Sequence, residues 1–541
     1  MGLMHNLRRA SRRAAASAER RAGLPPHATR ESLAEWARRH LGRRRVVIVS
    51  NREPYSHEQG PEGLLWQRNA GGLTVALDAV AQAVGGVWVA HGSGGGDREA
   101  VDEHDHVRCP PDRPAYTLRR LWLSAEDHER YYAGFANGAL WPLCHIVYVR
   151  PRFEQADWLR YEDVNRRFAE AVLEEIGDEP AFVFIQDYHL ARVAPYLRRA
   201  RPDLRIALFW HIPWPNAEVV RRLPWRNELL EGLLACDLVG FHIPYHAQNF
   251  LSTVADSLEA RVDFEHNAVV CGGRRTWVRH FPIGTDPDEI GAMAERPATA
   301  RAIEAWRAEL GLGDALVGLG IDRLDYTKGI PERLEALERF WELHPEWVGR
   351  FRFVQVAVPS RIELEEYQAI GTRVRALVRH INGRFAPAGP PLVHLIERNL
   401  DFPSLVPLYR MADLCMVTSL HDGMNLVAKE YVAARTDHGG ALVLSPFTGA
   451  AREFLRAWIA SPYDRERLAE TIAAALTEDP EARAARIRDL RTAVHRHTVY
   501  DWATEVLDTA LRMETAWPAE TSAGGAGRTK APVRRRKGAG S

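Results

Sequence analysis

Ala315-Leu316-Val317-Gly318-Leu319-Gly320-Ile321-Asp322-Arg323-Leu324-Asp325-Tyr326-Thr327-Lys328-Gly329 begins as an unbroken apolar run and ends as a polar loop. An apolar run without alternation is how a parallel strand reads when both its faces are covered. Pro331 then opens a helical stretch over 330–344, its fixed φ suiting a first helical turn. One strand–loop–helix unit therefore carries two cations, Arg323 and Lys328, in the loop beyond the strand's carboxyl end.

The same signature recurs at 46–50 (Val-Val-Ile-Val-Ser), 182–187, 205–211, 352–358 and 441–445, with helical stretches such as 163–176 between. Strands alternating with helices predict open α/β sheets. The strands fall into two groups, 46–280 and 315–445, joined near Phe281–Pro287, so the expected fold class is α/β with two doubly wound domains in tandem. The expected division is 1–44 as a basic, largely disordered extension, 45–290 and 291–490 as the two domains, 491–518 as a C-terminal helix, and 519–541 as a basic disordered tail. Ligands of such sheets sit beyond the carboxyl ends of the strands, so the cleft between the domains is the expected site.

Composition narrows the function. Hydrophobic residues are 46% and charged residues 26% of the 541, a globular mix. Net charge is zero overall, but residues 1–45 carry +9 and 521–541 carry +6, leaving −15 for the body. A body this acidic is a poor nucleic-acid binder, so no specific nucleic-acid partner is expected. No apolar run reaches the ~18–20 residues that span a bilayer, and no membrane partner is expected. The five cysteines (Cys109, Cys144, Cys236, Cys271, Cys415) are widely spaced, and with no apolar leader in the first 44 residues they suit a reducing cytoplasm. Only four of 71 basic residues are lysines, and only Lys328 and Lys429 lie in the body. Each is a candidate for work that a compact ammonium does and a guanidinium does not.

Polar residues after strands form five constellations. Arg323 and Lys328, beside a helix start, offer a forked donor, a point charge and a positive dipole end to a diphosphate; the alternative is an Arg–Asp pair capping a loop. His421-Asp422-Gly423-Met424-Asn425-Leu426-Val427-Ala428-Lys429-Glu430 follows a strand-like 414–418 and offers Asp422 and Glu430 to sugar and ribose hydroxyls, or is an ordinary capped turn. Asp187 in Gln186-Asp187-Tyr188-His189 and His211 in Trp210-His211-Ile212-Pro213 end strands of the first domain, where they bind hydroxyls, move protons or serve as structural polar groups. Arg52 ends the first strand, Gly71-Gly72 opens a helix without matching a complete phosphate-loop motif, and Gly92–Gly96 reads as a flexible loop. Tyr132 and Trp141, near Trp88, offer aromatic platforms or core rings, and Arg361 suits a phosphate. No metal-ligand motif is present, and neither metal nor cofactor is expected.

Taken together, Ser50-Asn51-Arg52, Ala70-Gly71-Gly72, Tyr132 with Trp141, Gln186–His189, His211-Ile212-Pro213, Arg323–Gly329 and Asp422–Tyr431 resemble the trehalose-6-phosphate synthase family, in register from about 45 to 512. The resemblance implies a GT-B glycosyltransferase: two Rossmann-like domains facing across a cleft, with a C-terminal helix crossing back to the first. It implies transfer of glucose, with retention, from a nucleotide-glucose donor to a sugar-phosphate acceptor, glucose 6-phosphate. Arg323 and Lys328 would hold the diphosphate, Glu430 the ribose, and Asp422 and His211 hydroxyls of the donor glucose, with Gly72, Gly423, Met424, Asn425, Leu426 and Val427 completing the donor site. Asp187 would orient the acceptor, Arg52, Tyr132, Trp141 and Arg361 would receive its phosphate, and Trp88 would line its pocket. Catalysis would rest on Arg323, Lys328, Asp187 and His211. Arg52-Glu53-Pro54-Tyr55, Gly240–Pro244 and Val356–Arg361 are also similar to glucosylglycerol-phosphate synthases, which use glycerol 3-phosphate. The joint presence of Arg52, Tyr132, Trp141 and Arg361 favours the hexose. A catalytically silent sugar-phosphate-binding homologue would have lost members of the cationic clamp, and none is missing. Donor base and self-association into a homo-oligomer stay open.

Overall fold

A computed structural model describes residues 27–61, 63–69 and 71–513. In chain order the first lobe contributes β1 (Arg45–Arg52), β2 (Tyr55–Gly60), β3 (Gly63–Arg68), β4 (Val87–His91), β5 (His106–Cys109), β6 (Tyr116–Leu121), β7 (Ala181–Gln186), β8 (Arg205–Phe209), β9 (Leu238–Phe241), β10 (Arg261–Asp263), β11 (Ala268–Cys271) and β12 (Arg274–His280). All but the β2–β3 hairpin form one sheet in the order β10-β11-β12-β9-β8-β7-β1-β4-β6-β5. Its centre from β12 to β6 is parallel and its two margins are antiparallel. The second lobe adds β13 (Leu316–Arg323), β14 (Phe351–Val358), β15 (Val393–Ile396), β16 (Leu414–Val417), β17 (Ala441–Leu444) and β18 (Trp458–Ile459), an all-parallel sheet ordered β15-β14-β13-β16-β17-β18. The apolar runs of β1, β7 and β13 are buried along both faces, as strands sandwiched between helices must be. The chain is a GT-B fold, two Rossmann-like lobes.

The lobes are tied at three places. The chain passes once through residues 281–286 into helix Pro287–Ala294, which packs against helix Leu426–Ala434 of the second lobe. A boundary at 290 would fall inside that helix, so the crossover is the extended segment before it. The chain returns through helix Val499–Arg512, capped by Thr498, whose Trp502 meets Phe184 and Phe209 of the first lobe at ring distances of 5.6 and 5.1 Å. The returning helix therefore starts at 499, not 491, because helix Pro480–Arg496 ends at a break before it. A Cβ on Gly284 would lie 1.9 Å from the His497 carbonyl oxygen, so only glycine lets the two crossings touch.

The third tie lies inside the expected basic, largely disordered extension 1–44, whose last part is a packed helix. Helix Arg30–His40 is capped by Thr29 and buries Leu33 and Ala37 in the same core as the returning helix. Just before it, Ala28 N–H donates to Asp501 (3.0 Å), Thr498 Oγ1 donates to the Ala28 carbonyl (3.1 Å), and His27 Nε2 meets Asp288 (3.1 Å). The apolar positions of this helix are few among its charged residues; Arg38 and Arg39 are exposed, while Arg30 is half-buried and donates to Gln82 at 3.1 Å. Residues 1–26 of the expected extension, and the whole expected tail 519–541, lie outside the described residues. Among the described residues no helix is long and apolar enough to cross a membrane.

Candidate active site in the interlobe cleft

On the second lobe the site begins where β13 ends. Asp325 caps the turn Tyr326–Lys328, accepting from Thr327 N–H (3.0 Å) and Thr327 Oγ1 (2.9 Å), and Gly329 closes it at φ +63. A Cβ on Gly329 would strike the Thr418 carbonyl at 2.2 Å, so the turn sits directly on the β16 loop. There Lys328 Nζ donates to Asp422 at 2.6 Å, and Ser419 Oγ and Asn425 Nδ2 donate to the same carboxylate, each at 3.2 Å. Burial alone would raise the Asp422 pKa, but the Lys328 ammonium and the Asn425 amide hold it well below the usual carboxylate range. Asn425, at φ +87, caps helix Leu426–Ala434. Leu426 and Val427 thus supply first-turn N–H groups, which have no intrahelical partner. Glu430, one turn on, accepts from Tyr409 OH at 2.7 Å, and burial pushes its carboxyl up to about 7. It lines a crevice with Gly72, Thr285, Phe402 and Leu426.

On the first lobe Asp187 follows β7 at φ +73, in a backbone region rarely held by a side-chain-bearing residue. Its carboxylate accepts from Tyr188 N–H (2.9 Å) and His211 N–H (3.1 Å), binding the ends of β7 and β8 together. Burial pushes its pKa up to about 7, against the pull of those N–H groups and of Arg323 and Arg361. Tyr132 is buried, yet its phenol is pushed down to about 7: burial opposes ionisation, but Arg361, Arg52 and Arg323 face the oxygen, and Arg52 Nη2 lies 3.5 Å away. Arg52 beside Tyr132, with the positive charges of Arg361 and Arg323 near enough to favour the phenolate, makes this wall suited to an anion. Arg361, itself buried, lies 4.1 Å over the Trp141 ring and Arg323 lies 5.2 Å from the same ring. Arg361 also donates to Asp325 (3.3 Å) and, across the cleft, to Tyr188 OH (3.3 Å).

The structure thus brings Arg52, Tyr132, Trp141, Asp187, Arg323, Lys328, Arg361, Asp422 and the Asn425 cap to one cleft, and it revises three expected roles. Trp88 does not line a pocket: it is 0% exposed, donates its indole N–H to Ser50 Oγ at 2.8 Å and packs on Tyr116 in the core. In the strand register it is His91, at the carboxyl end of β4, that stands beside Arg52. The His211 ring has no nitrogen to spare: Nε2–H donates to Gln186 Oε1 (2.9 Å), Nδ1 accepts from His242 Nε2–H (3.3 Å), and burial holds its pKa down near 3. What His211 presents is its main-chain carbonyl, against which Gly423 packs so closely that a Cβ would be 2.1 Å away. Met424 turns into the core, leaving its backbone alone to serve a donor. Lys429, buried, ties the second lobe to the crossover through the Ile283 carbonyl and Glu453, both at 2.7 Å. The Gly92–Gly96 loop is not free either, since Ser93 N–H donates to Glu53 (2.8 Å) and Gly94 N–H to Asp97 (2.6 Å).

Three residues that sequence reasoning passed over belong here. Asp325 anchors Arg361, Tyr367 closes over that guanidinium, and His189 stacks on Tyr132 with rings 9° from parallel and a buried Nε2 that has no protein partner. In the sequence each stands beside a more conspicuous charge, and only proximity in space marks it. Among the described residues no group of three or more His, Cys, Asp or Glu could hold a metal ion.

Two Rossmann-like lobes with a cationic Lys328–Asp422 loop facing a second cationic wall at Tyr132 and Trp141 are the arrangement of a glycosyltransferase. Residues 44–512 match glycosyltransferase family 20, and the chain belongs to that family of retaining enzymes. It is 42% identical over 479 residues to a trehalose-6-phosphate synthase of Mycolicibacterium gilvum, covering 86% of this chain and 94% of that one. To a trehalose-6-phosphate synthase of Mycobacterium marinum it is 43% identical over 475 residues, covering 85% and 93%. Solved structures agree: the Escherichia coli trehalose-6-phosphate protein bound with UDP-2-fluoro glucose superposes with a TM-score of 0.77 at 31% identity, over 87% of this chain and 100% of that one. A UDP-forming α,α-trehalose-phosphate synthase of Burkholderia xenovorans in complex with glucose-6-phosphate superposes equally well, with a TM-score of 0.77 at 31% identity over 86% and 99%.

Proposed function

We infer that this chain transfers glucose, with retention, from a nucleoside-diphosphate glucose to glucose 6-phosphate, forming α,α-trehalose 6-phosphate and a nucleoside diphosphate. The observation that carries the reading is the cationic wall formed by Arg52 at Tyr132 and by Arg323 and Arg361 over Trp141, in the same cleft as the Lys328–Asp422 pair. A phosphorylated acceptor supplies the anion the first set is built for, and a glycosyl diphosphate supplies the one the second needs.

In the reaction the bond between the glucose anomeric carbon and the diphosphate oxygen breaks as that carbon bonds to the acceptor's anomeric oxygen. Negative charge grows on the departing phosphate and positive charge on the sugar ring. Arg323, Lys328 and the N–H groups of Leu426 and Val427 meet the first. Fixed donors aimed at developing charge are worth ~2–4 kcal/mol each. The departing phosphate oxygen takes the proton of the acceptor hydroxyl on the same face. Asp187 holds the acceptor, and Asp422 together with the His211 carbonyl takes hydroxyls of the donor glucose. Three carboxylates of the cleft are already engaged: Asp422 with Lys328, Asp187 with two N–H groups, Asp325 with its turn. Closure of the lobes excludes water and favours transfer over hydrolysis. Glu430 takes the ribose.

The test is a matrix of UDP-, GDP- and ADP-glucose against glucose 6-phosphate and glycerol 3-phosphate, with products resolved by NMR. A phosphorylated α,α-linked disaccharide formed with glucose 6-phosphate is expected. Nucleoside-diphosphate release with glycerol 3-phosphate alone, or with neither acceptor, would overturn the reading.

A further inference from the structure

The loop that holds Asp422 is pinned to the opposite lobe on both sides of that residue. On one side His421 Nδ1–H donates to the carbonyl oxygen of His145, at 2.8 Å and 276 residues away in sequence. On the other, Gly423 packs against the His211 carbonyl.

The two ends of the His421 contact each lead into one half of the site. His145 is the last residue of helix Trp141–His145, and its Nδ1–H donates to the Trp141 carbonyl at 2.8 Å. Trp141 is the ring on which Arg361 and Arg323 rest. Behind His421, Leu420 N–H donates to the Thr327 carbonyl (2.8 Å) and Thr418 Oγ1 to the Gly329 carbonyl (3.3 Å), so the β16 loop and the Lys328 turn are bonded to each other at two points. His145 is therefore linked to Asp422 and Lys328 through the His421 and Leu420 hydrogen bonds and the short stretches of chain beside them.

We propose that His421 is a positioning residue which, by bonding the His145 carbonyl across the cleft, couples occupation of the acceptor wall at Trp141 to the placement of the Lys328–Asp422 donor clamp. The proposal rests on the transferase reading above. Its consequence is that donor and acceptor sites communicate through a contact that touches neither ligand. Closure around one ligand builds the site for the other, and the donor bond is protected from water until the acceptor has arrived. A contact present in only one of two arrangements transmits coupling because both ligands bias the same equilibrium.

The experiment measures coupling by titration calorimetry on the full chain, using UDP and glucose 6-phosphate as probes, each alone and each in the presence of the other. In the wild-type chain UDP is expected to tighten glucose 6-phosphate binding about tenfold, within the usual range for coupled sites. His421→Phe keeps a ring but loses the donor, and is expected to bind each ligand alone within about threefold of wild type while the coupling falls to less than twofold. His421→Asn carries an amide N–H close to the lost Nδ1–H and is expected to restore most of the coupling, an outcome general damage to the fold would not produce. With UDP-glucose as substrate, the ratio of donor hydrolysed to donor transferred should rise at least fivefold in His421→Phe and fall back in His421→Asn. Undiminished coupling in His421→Phe, or a collapse of single-ligand binding with no rescue by His421→Asn, would overturn the proposal. A wild-type chain that couples UDP to glucose 6-phosphate yet forms no disaccharide would overturn the transferase reading instead, and the coupling titrations would still decide the role of His421.

Discussion

Lys328→Ala isolates the charge on which donor activation depends. Its ammonium lies 2.6 Å from the Asp422 carboxylate on a nearly buried side chain, so the substitution acts twice. It removes one cation from the departing diphosphate, which costs ~2–4 kcal/mol of transition-state stabilisation. That is roughly 30- to 900-fold in kcat. It also strips the buried Asp422 of the cation that holds its carboxylate in place and keeps its pKa down, which places the expected loss toward the upper end of that range. The second effect has its own signature. In a cycle with Asp422→Asn the two losses should be less than additive by about 1–3 kcal/mol, the range for residues in direct contact. Asp422→Asn alone should also be impaired, because the carboxylate places the donor glucose. The assay is coupled nucleoside-diphosphate release at saturating glucose 6-phosphate, with thermal melts to confirm that each variant folds. A Lys328→Ala enzyme within about threefold of wild-type kcat, or strictly additive losses, would refute the clamp.

Gly423→Ala should lower kcat/KM by about 100-fold, since a Cβ 2.1 Å from the His211 carbonyl forces a displacement near 1 Å between donor loop and acceptor lobe; near-wild-type kcat/KM with unchanged Tm would show that the lobes do not close on this contact. Tyr132, pushed down to about 7 by its three arginines, should titrate near neutrality by phenolate absorbance, a signal lost in Tyr132→Phe. Inorganic phosphate or glucose 6-phosphate should move that midpoint upward by neutralising the cations, and a midpoint indifferent to phosphate would rule out the anion site. His145, His211 and His246 are held near 3 by burial, so the unfolded chain binds protons below pH ~6.5 that the folded chain refuses. Their stabilising contribution is complete above pH ~6.5 and is lost as the pH falls toward 3, by about 1.4 kcal/mol per group and pH unit; a Tm unchanged between pH 7.5 and 5.5 would contradict this. Leu33→Ala should cost about 2–4 kcal/mol in denaturant unfolding, because Leu33 is 0% exposed in the core shared with the returning helix, and a cost under 0.5 kcal/mol would mean that the leading helix does not anchor the lobes.

What could be read from the chain, and what could not, follows from the range of the forces involved. β1, β7 and β13 were legible because a strand covered on both faces must be apolar throughout, a property local to a handful of residues. β4 and β6 were not. Val87–His91 is preceded by a glycine pair and too short to stand out, and Tyr116–Leu121 places Arg119 and Arg120 where a covered strand should be apolar. Arg120 is buried all the same, because Glu53 and Asp97 meet its guanidinium at 2.8 and 2.7 Å, partners 67 and 23 residues away that no local window contains. The site divides in the same way. Arg323 and Lys328 announce themselves as charges at a strand's end. Trp88 illustrates the opposite failure: an aromatic near other aromatics reads as a platform, and only the strand's facing decides that it belongs to the core while His91 stands beside Arg52. His211 was chosen for its ring, yet the ring is spent on Gln186 and His242 and the backbone is what Gly423 meets. Side-chain identity points to the strand ends that meet at the cleft, whereas the assignment of ring against carbonyl, or platform against core, belongs to contacts between distant segments. Those contacts decide whether the donor clamp and the acceptor wall act as one site, because Lys328 is aligned with Trp141 not by its own loop alone but by a histidine reaching across to a main-chain oxygen.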